Sequence, residues 1–279
     1  MRTPLRSRQG CYGFALQGVL GADALLVDAP SDWPGLELVR EPDDGHRPEE
    51  DSIGPSRAVL PLQRGWVEIE RSPGRATFRL EEPPPDGDLV HPYLAPAAAV
   101  AARWAGRESF HAGAVISDGG AWALLGDKEN GKSTTLAWLA LHGHSVLVDD
   151  LLVLDGASAL AGPRCIDLRE EAAERLGAGE ALGMVGLRER WRVTLGSVPA
   201  AVPLRGWFTL GWGDELTLER LQGPERMLTL LPYRAVALEP GAPEDLIALA
   251  SLPVWRLRRP RHWDWLEPAA ARLLEAISA

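Results

Sequence analysis

The stretch that decides the fold reads Gly126-Asp127-Lys128-Glu129-Asn130-Gly131-Lys132-Ser133-Thr134. It matches the phosphate-binding pattern G-x-x-x-x-G-K-[ST]. In such a loop the backbone N–H groups hold phosphate, the lysine (here Lys132) reaches the β- and γ-phosphates, and the hydroxyl of Ser133 binds magnesium. These nine residues therefore predict a site for ATP and Mg²⁺. The alternative interpretation is a glycine-rich turn that carries an ordinary surface lysine.

The segments on both sides of this stretch fit a strand, a loop and a helix in that order. Residues 121–125 are a short apolar run of strand length, and residues 134–141 are an apolar segment of helix length that ends before Gly143. A loop in this position places backbone N–H groups at the start of a helix, where phosphate binds. This context supports the nucleotide-site interpretation.

Two carboxylates follow the next predicted strand, residues 145–148. Asp149 and Asp150 stand at its carboxyl end, the edge at which open α/β sheets bind ligands. In a phosphoryl-transfer site one such carboxylate holds the metal and another accepts the proton of the attacking hydroxyl. We favour Asp149 as the base and Asp150, with Ser133, as the metal contact. The alternative is an Asp pair that caps a turn before a strand at residues 151–154.

A histidine lies upstream of the loop, in a predicted strand over residues 109–116. The segment Ser117-Asp118-Gly119-Gly120 is a hairpin turn signal, so this strand and the loop strand are expected to be antiparallel neighbours. The hairpin brings His111 to the mouth of the phosphate site. A lone histidine on a strand also has a purely structural interpretation.

Composition excludes several classes of protein. The chain has 279 residues, a net charge of −10, a pI near 5.2, and no apolar run of membrane-spanning length. The acidic surface argues against nucleic acid as a partner. Cys11 and Cys165 match no zinc or redox spacing, which suits a reducing compartment. We expect a cytoplasmic protein with no membrane partner, and a homo-oligomer is compatible with its 11 tryptophans.

The predicted organisation has two parts. Residues 1–95 form a small β-rich amino-terminal domain, in which residues 66–80 alternate like a hairpin with a Pro-Gly turn. Residues 96–279 form the larger domain. A predicted helix at residues 95–105 leads into its core. It ends with a strand at residues 254–258 and a closing helix at residues 265–277.

Several of these features together resemble the HPr kinase/phosphorylase family. His111-Ala112-Gly113, the hairpin, residues 126–134 and Asp149-Asp150 occur in the order and spacing of that family, over about residues 109–155. The resemblance implies an α/β fold with the P-loop nucleotide-binding core that HPr kinases share with PEP carboxykinases. It also implies ATP and magnesium at the loop, a base and a metal contact at the Asp pair, and an assisting role for His111.

The sequence departs from that family further downstream. The family's glutamate before Arg-Gly has no match, and residues 162–171 keep charged residues without the motif. The pattern is more similar to the HPr-kinase-like proteins of peptide natural-product pathways. We therefore expect an ATP- and Mg²⁺-dependent kinase that phosphorylates a hydroxyl acceptor, either a peptide Ser/Thr or a small molecule. The alternatives are a non-catalytic nucleotide switch or scaffold in a biosynthetic pathway, and a PEP-carboxykinase-like enzyme.

Three arginines alternate in a predicted strand, Arg188, Arg190 and Arg192. On a strand they share one face, which suits a clamp for phosphate or for an acidic acceptor. The alternative is a solvated edge strand protected by its charge.

Overall fold

The computed structural model describes residues 8–43, 45, 52–236 and 243–278, and its elements follow the chain in this order. The first part contains eight strands, β1 (Gln9–Cys11), β2 (Phe14–Gln17), β3 (Val27–Asp28), β4 (Gly35–Pro42), β5 (Ser52–Ile53), β6 (Arg57–Leu62), β7 (Gly65–Glu70) and β8 (Arg75–Leu80). The middle part contains α1 (Asp86–Asp88), α2 (Leu94–Trp104), β9 (Glu108–Phe110), β10 (Ala112–Ser117), β11 (Gly120–Leu125), α3 (Lys132–Leu141), β12 (Ser145–Val148), β13 (Leu152–Asp155) and β14 (Ser158–Leu160). The last part contains β15 (Cys165–Leu168), α4 (Glu170–Leu176), β16 (Glu180–Val185), β17 (Arg188–Thr194), β18 (Ala201–Trp212), β19 (Thr217–Arg220), α5 (Pro224–Leu230), α6 (Pro243–Ser251), β20 (Val254–Arg259) and α7 (Leu266–Ser278).

The amino-terminal strands form one mixed sheet in the order β3-β1-β2-β4-β8-β7-β6-β5. The predicted hairpin is confirmed, because β7 and β8 pair antiparallel with Gly65 opposite Leu80 and Glu70 opposite Arg75. Helix α2 packs against β6 and β7 of this sheet and also against β9 of the next one. A single buried cluster therefore runs from Phe78 through Ala98 to Trp207. The division of the chain at residue 95 stays a prediction.

The sheet that positions the site contains both strand directions. Its order is β12-β10-β11-β18-β14-β13-β9, with β20 paired to β18 and β19 paired to β20. Strands β11, β18 and β20 are parallel neighbours. Because they run in one direction, their carboxyl ends at Leu125, Trp212 and Arg259 meet at the same edge. The protein is thus a mixed α/β fold, as the sequence predicts.

Both faces of this sheet are covered by apolar side chains. On one face Leu136 of α3 and Leu273 of α7 join Phe208 and Leu257 in a buried cluster. On the other face the Phe110 and Trp207 rings meet edge-on, with centroids 5.0 Å apart. The start of α3 is therefore fixed against the sheet at the edge where β11 ends.

The hairpin before the loop forms as predicted, but the strand that enters it is interrupted. Strands β10 and β11 pair antiparallel from Ala112 opposite Leu125 to Ser117 opposite Gly120. Asp118 and Gly119 have φ values of 48° and 70°, the two left-handed residues that a tight hairpin turn requires.

The prediction of a single strand at residues 109–116 is wrong, because the chain changes its neighbouring strands at His111. Strand β9 pairs with β13, whereas β10 pairs with β11 and β12. Between them the backbone N–H of His111 donates to the carbonyl of Tyr233 at 2.7 Å. The interruption leaves the His111 side chain at the junction of the strands, with 48% of it exposed.

The alternating arginines lie on β17, which is the central strand of a small sheet in the order β15-β17-β16. Arg190 and Arg192 are buried and pair with Asp167 of β15. The solvated-edge interpretation is therefore wrong, and so is the interpretation as a free clamp for these two residues, because their charge is already opposed by a carboxylate.

Across the part of the chain that the structure describes, no helix has both the length and the apolar character needed to span a membrane.

Candidate active site

The loop between β11 and α3 is shaped by two glycines and by its own hydrogen bonds. Gly126 is buried, and a Cβ on it would lie 3.3 Å from the carbonyl oxygen of Leu210. Gly131 has φ +79° and precedes the first residue of α3. The backbone N–H of Asn130 donates to Asp127 at 3.1 Å, and the side-chain amide of Asn130 donates to the carbonyl of Leu210 at the same distance. The loop is thus tied to β18 and leads directly into the helix.

The two lysines of the chain differ sharply in environment. Lys132 is only 7% exposed, and its Nζ lies 3.5 Å from the carbonyl oxygen of His111. Burial lowers its pKa, while the fields of Asp150, Asp149 and Asp127 oppose that change. Lys128 is exposed to solvent. One lysine therefore faces the acidic residues from inside the fold, and the other lies on the surface of the loop.

Asp149 is buried beside the start of α3. It is 5% exposed, and its Oδ1 has no hydrogen-bond partner among the described residues. Burial and the neighbouring Asp150 raise its pKa to about 7, although Lys132 and a hydrogen bond from Ser133 act in the opposite direction. An unpartnered buried carboxylate oxygen costs stability, and such groups concentrate at functional sites.

Asp150 and His111 form a pair at the surface of the same site. Nδ1 of His111 lies 3.3 Å from Oδ1 of Asp150, whose side chain is 40% exposed. Burial tends to raise the pKa of Asp150, but the fields of His111, Lys132, His91 and Arg190 outweigh it and leave the pKa below its ordinary value. Burial and Lys132 lower the pKa of His111. Asp150 is therefore the ionised member of the acidic pair.

A close approach between strands aligns these groups. A Cβ on Gly113 of β10 would lie 2.8 Å from the carbonyl oxygen of Asp149 and 2.2 Å from Cδ1 of Leu136. Glycine is thus required where β10 passes the end of β12 and the start of α3. The structure brings together Lys132, Ser133, Asp149, Asp150 and His111, all singled out in the sequence.

The remaining predicted loop residues lie around this group. Asp127, Lys128 and Glu129 are exposed, and Glu129 has φ +73°. Nη2 of Arg169 lies 2.9 Å from Oε1 of Glu129. Thr134 is half-buried in the first turn of α3.

Two residues of the site, Tyr233 and Arg259, are not predicted by the sequence patterns. Tyr233 hydrogen-bonds the Asp127 side chain, and burial and this carboxylate raise the pKa of its hydroxyl. Arg259 stacks over Trp212, with its Cζ 4.6 Å from the ring centroid, beside Gly131. Tyr233 is about 100 residues from Asp127 in the chain, so no local pattern marks it. Arg259 lies one residue beyond the strand predicted at residues 254–258, and no local pattern distinguishes it from Arg256 and Arg258.

A second cluster of potential metal ligands lies deeper in the fold. Side-chain donor atoms of His91, Cys165 and Asp167 all lie within 4.8 Å of one another and are buried. The carboxylate of Asp167 already accepts hydrogen bonds from Arg192 at 2.7 and 2.9 Å. Two neighbouring guanidinium groups, those of Arg190 and Arg192, disfavour a cation there.

Comparison with known proteins finds only a distant structural relationship. No protein-family model matches the sequence, and no curated protein matches it. Among solved structures, the chain is similar to the HPr(Ser) kinase/phosphatase from Coxiella burnetii at 14% identity. The match covers 61% of this chain and 97% of the other, with a TM-score of 0.29. This is a distant structural relationship, and it says nothing about the individual residues of the site.

Proposed function

We propose that the protein is an ATP- and Mg²⁺-dependent phosphotransferase of HPr-kinase-like type that transfers the γ-phosphoryl group to a hydroxyl acceptor. One observation carries the proposal. The buried carboxylate of Asp149 receives a hydrogen bond from Ser133 at the start of α3, and its Oδ1 has no hydrogen-bond partner within the described ranges of the chain. Carboxylates with a structural role in a core normally have both oxygens hydrogen-bonded. We therefore take Oδ1 of Asp149 as an atom that contacts the substrate.

Residues 126–134 supply the phosphate site in this proposal. The backbone N–H groups of the loop and the first turn of α3 favour an anion, because they lack partners within the helix and lie at its positive end. Lys132 adds a positive charge that is already directed toward the acidic pair. Residues 126–134 therefore fit the phosphate chain of a nucleoside triphosphate.

Hard oxygen donors beside this loop fit magnesium. The hydroxyl of Ser133 and the ionised carboxylate of Asp150 would hold the ion, since Mg²⁺ prefers oxygen ligands and commonly binds through one or two protein groups plus phosphates. When bound, magnesium neutralises the charge of the phosphate oxygens.

Asp149 is the base in this proposal. Its free Oδ1 accepts the proton of the acceptor hydroxyl as the oxygen attacks the γ-phosphorus and the bond to ADP breaks. His111, held 3.3 Å from Asp150, orients that carboxylate at the mouth of the site. The acceptor reaches the pair from the exposed side of His111 and Asp150.

Product analysis tests this function. Purified protein is incubated with γ-labelled ATP and Mg²⁺ in an extract of its own organism, and mass spectrometry identifies the phosphorylated species. We expect a phosphorylated Ser or Thr of a peptide, or a phosphorylated small hydroxyl compound. ATP bound without turnover across these pools would favour a nucleotide switch or scaffold. Nucleotide-dependent decarboxylation of an oxo acid would favour a carboxykinase-like enzyme.

A further inference from the structure

Arg259 is a buried arginine with no carboxylate partner in the part of the chain that the structure describes. It is the last residue of β20 and is 8% exposed. Among the described residues, no carboxylate lies within ion-pair distance of it, and its guanidinium lies over the Trp212 ring, with Cζ 4.6 Å from the ring centroid. Burial alone lowers its pKa. A buried guanidinium normally has an anionic partner, because removing the charge from water is costly.

The sheet directs this side chain toward the loop. Arg259 is opposite Trp212 in the parallel pair of β20 and β18. It lies two residues after Leu257, which belongs to the apolar cluster under α3, so Arg259 is on the same face as that helix. A Cβ on Gly131 would lie 2.8 Å from Nη2 of Arg259 and 3.4 Å from the Trp212 ring. The guanidinium therefore sits against the residue that caps α3.

This position is electrostatically unfavourable in the absence of an anion. Helix α3 has ten residues and presents the positive end of its dipole at Gly131, where a cation is disfavoured. Lys132 is the next residue along the chain. Glu129 of the loop is already paired with two other arginines, Arg169 at 2.9 Å and Arg261 at 3.8 Å. Lys132 faces Asp150, Asp149 and Asp127, whereas Arg259 faces no carboxylate among the described residues.

We propose that Arg259 is a phosphate-binding residue, which Trp212 holds in place to contact the phosphate chain of the bound nucleotide beside Gly131. The inference rests on the proposed function and adds a residue to its site. The planar guanidinium forms paired, charge-assisted hydrogen bonds with phosphate oxygens, and stacking on an indole ring restricts it to one orientation. The ligand chemistry is that of a polyphosphate, so inorganic pyrophosphate is a probe of the same contact without the nucleoside.

The test measures binding of ATP and of pyrophosphate by the whole 279-residue chain, by calorimetry in Mg²⁺ buffer. Arg259→Met is expected to weaken ATP binding about tenfold or more, the effect of losing a charge-assisted hydrogen bond. Arg259→Lys keeps the charge without the planar pair of donors and is expected to lie between Arg259→Met and wild type. Arg258→Met is the matched control, since Arg258 is exposed on the same strand, and its affinity is expected to stay within about twofold of wild type.

Thermal unfolding separates a lost contact from a damaged fold. Because the unpaired cation is unfavourable in the free protein, the ligand-free melting temperature of Arg259→Met is expected to equal or exceed that of wild type. Its rise on addition of ATP is expected to be smaller. If Arg259→Met does not fold, Arg259→Lys carries both measurements.

Four outcomes are decisive. Weaker binding of ATP and pyrophosphate by the Arg259 variants, with the control unchanged, supports the proposal. Wild-type affinity in both Arg259 variants, with phosphoryl transfer intact, overturns the role of Arg259 and leaves the proposed function standing. Arg259-dependent binding without any phosphoryl transfer supports the contact and overturns the kinase. A wild-type protein that binds neither ATP nor pyrophosphate overturns both.

Discussion

The buried ion pairs at Asp167 give a prediction whose magnitude follows from the structure. The Asp167 side chain is 1% exposed and faces Arg192 and Arg190, which are 9% and 6% exposed. Asp167→Asn keeps the shape of the side chain but removes its charge, so that two buried guanidinium groups lose their common counter-ion. Breaking a buried pair from one side costs about 3–5 kcal/mol.

Arg192 has other partners that reduce this cost. It also donates to the backbone carbonyl of His91 at 2.7 Å and lies 3.3 Å from Asp88. We therefore expect Asp167→Asn to lower the free energy of unfolding by about 3 kcal/mol, near the lower end of that range. Such a loss is a large fraction of the roughly 5–15 kcal/mol that stabilises a typical domain.

Urea unfolding, followed by far-ultraviolet circular dichroism at equal m values, measures this loss. Glu275→Gln is the matched control, because Glu275 pairs with Arg272 at 2.8 Å on the exposed face of α7, and exposed pairs contribute little. We expect no measurable change in the control. A loss below about 1 kcal/mol in Asp167→Asn would refute the view that Arg190 and Arg192 have a structural role.

Two further predictions concern the acidic pair and the acceptor. The raised pKa of Asp149, about 7, means that the folded state binds this proton more tightly than the unfolded state, so stability from this group is present at low pH and is lost as pH rises from about 4 through 7. In metal-free buffer with a chelator, the stability of Asp149→Asn relative to wild type should therefore increase between pH 4 and pH 8, by at most about 4 kcal/mol, and a difference that is constant across this range contradicts the assignment. The downstream motif of the HPr kinase/phosphorylase family is missing from residues 162–171. We therefore expect the contacts specific to HPr to be missing, so that purified protein with labelled ATP leaves HPr unlabelled. Rapid stoichiometric labelling of HPr would overturn this expectation.

Local sequence patterns account for the parts of the fold that lead to the site. The apolar run before the loop forms β11, the segment after it forms α3 from Lys132, and the Asp-Gly turn closes the hairpin. Each of these depends on residues within a few positions of one another, where turn geometry and helix starts are determined by residue type. The loop residues and the Asp pair were predicted for the same reason.

Long-range partners account for what was missed. The break of the strand at His111 depends on a hydrogen bond to Tyr233, more than 100 residues away in the chain. The alternation of Arg190 and Arg192 is the same for an exposed edge strand and a central one, and only Asp167 on a neighbouring strand distinguishes the two. The place of Arg259 beside the loop requires the parallel order of β11, β18 and β20, which no local pattern contains.

If the buried lysine of the loop serves phosphoryl transfer, the two lysines of the chain are a matched pair for the test. Lys132 is 7% exposed beside the acidic pair, whereas Lys128 lies four residues away on the surface. The decisive measurement is the rate of label transfer from γ-labelled ATP, with ATP affinity determined in parallel, for wild type, Lys132→Met and Lys128→Ala. We expect Lys132→Met to lose about a hundredfold or more in transfer and to bind ATP more weakly, and Lys128→Ala to change little. Equal affinity and equal transfer in wild type and Lys132→Met would contradict this expectation.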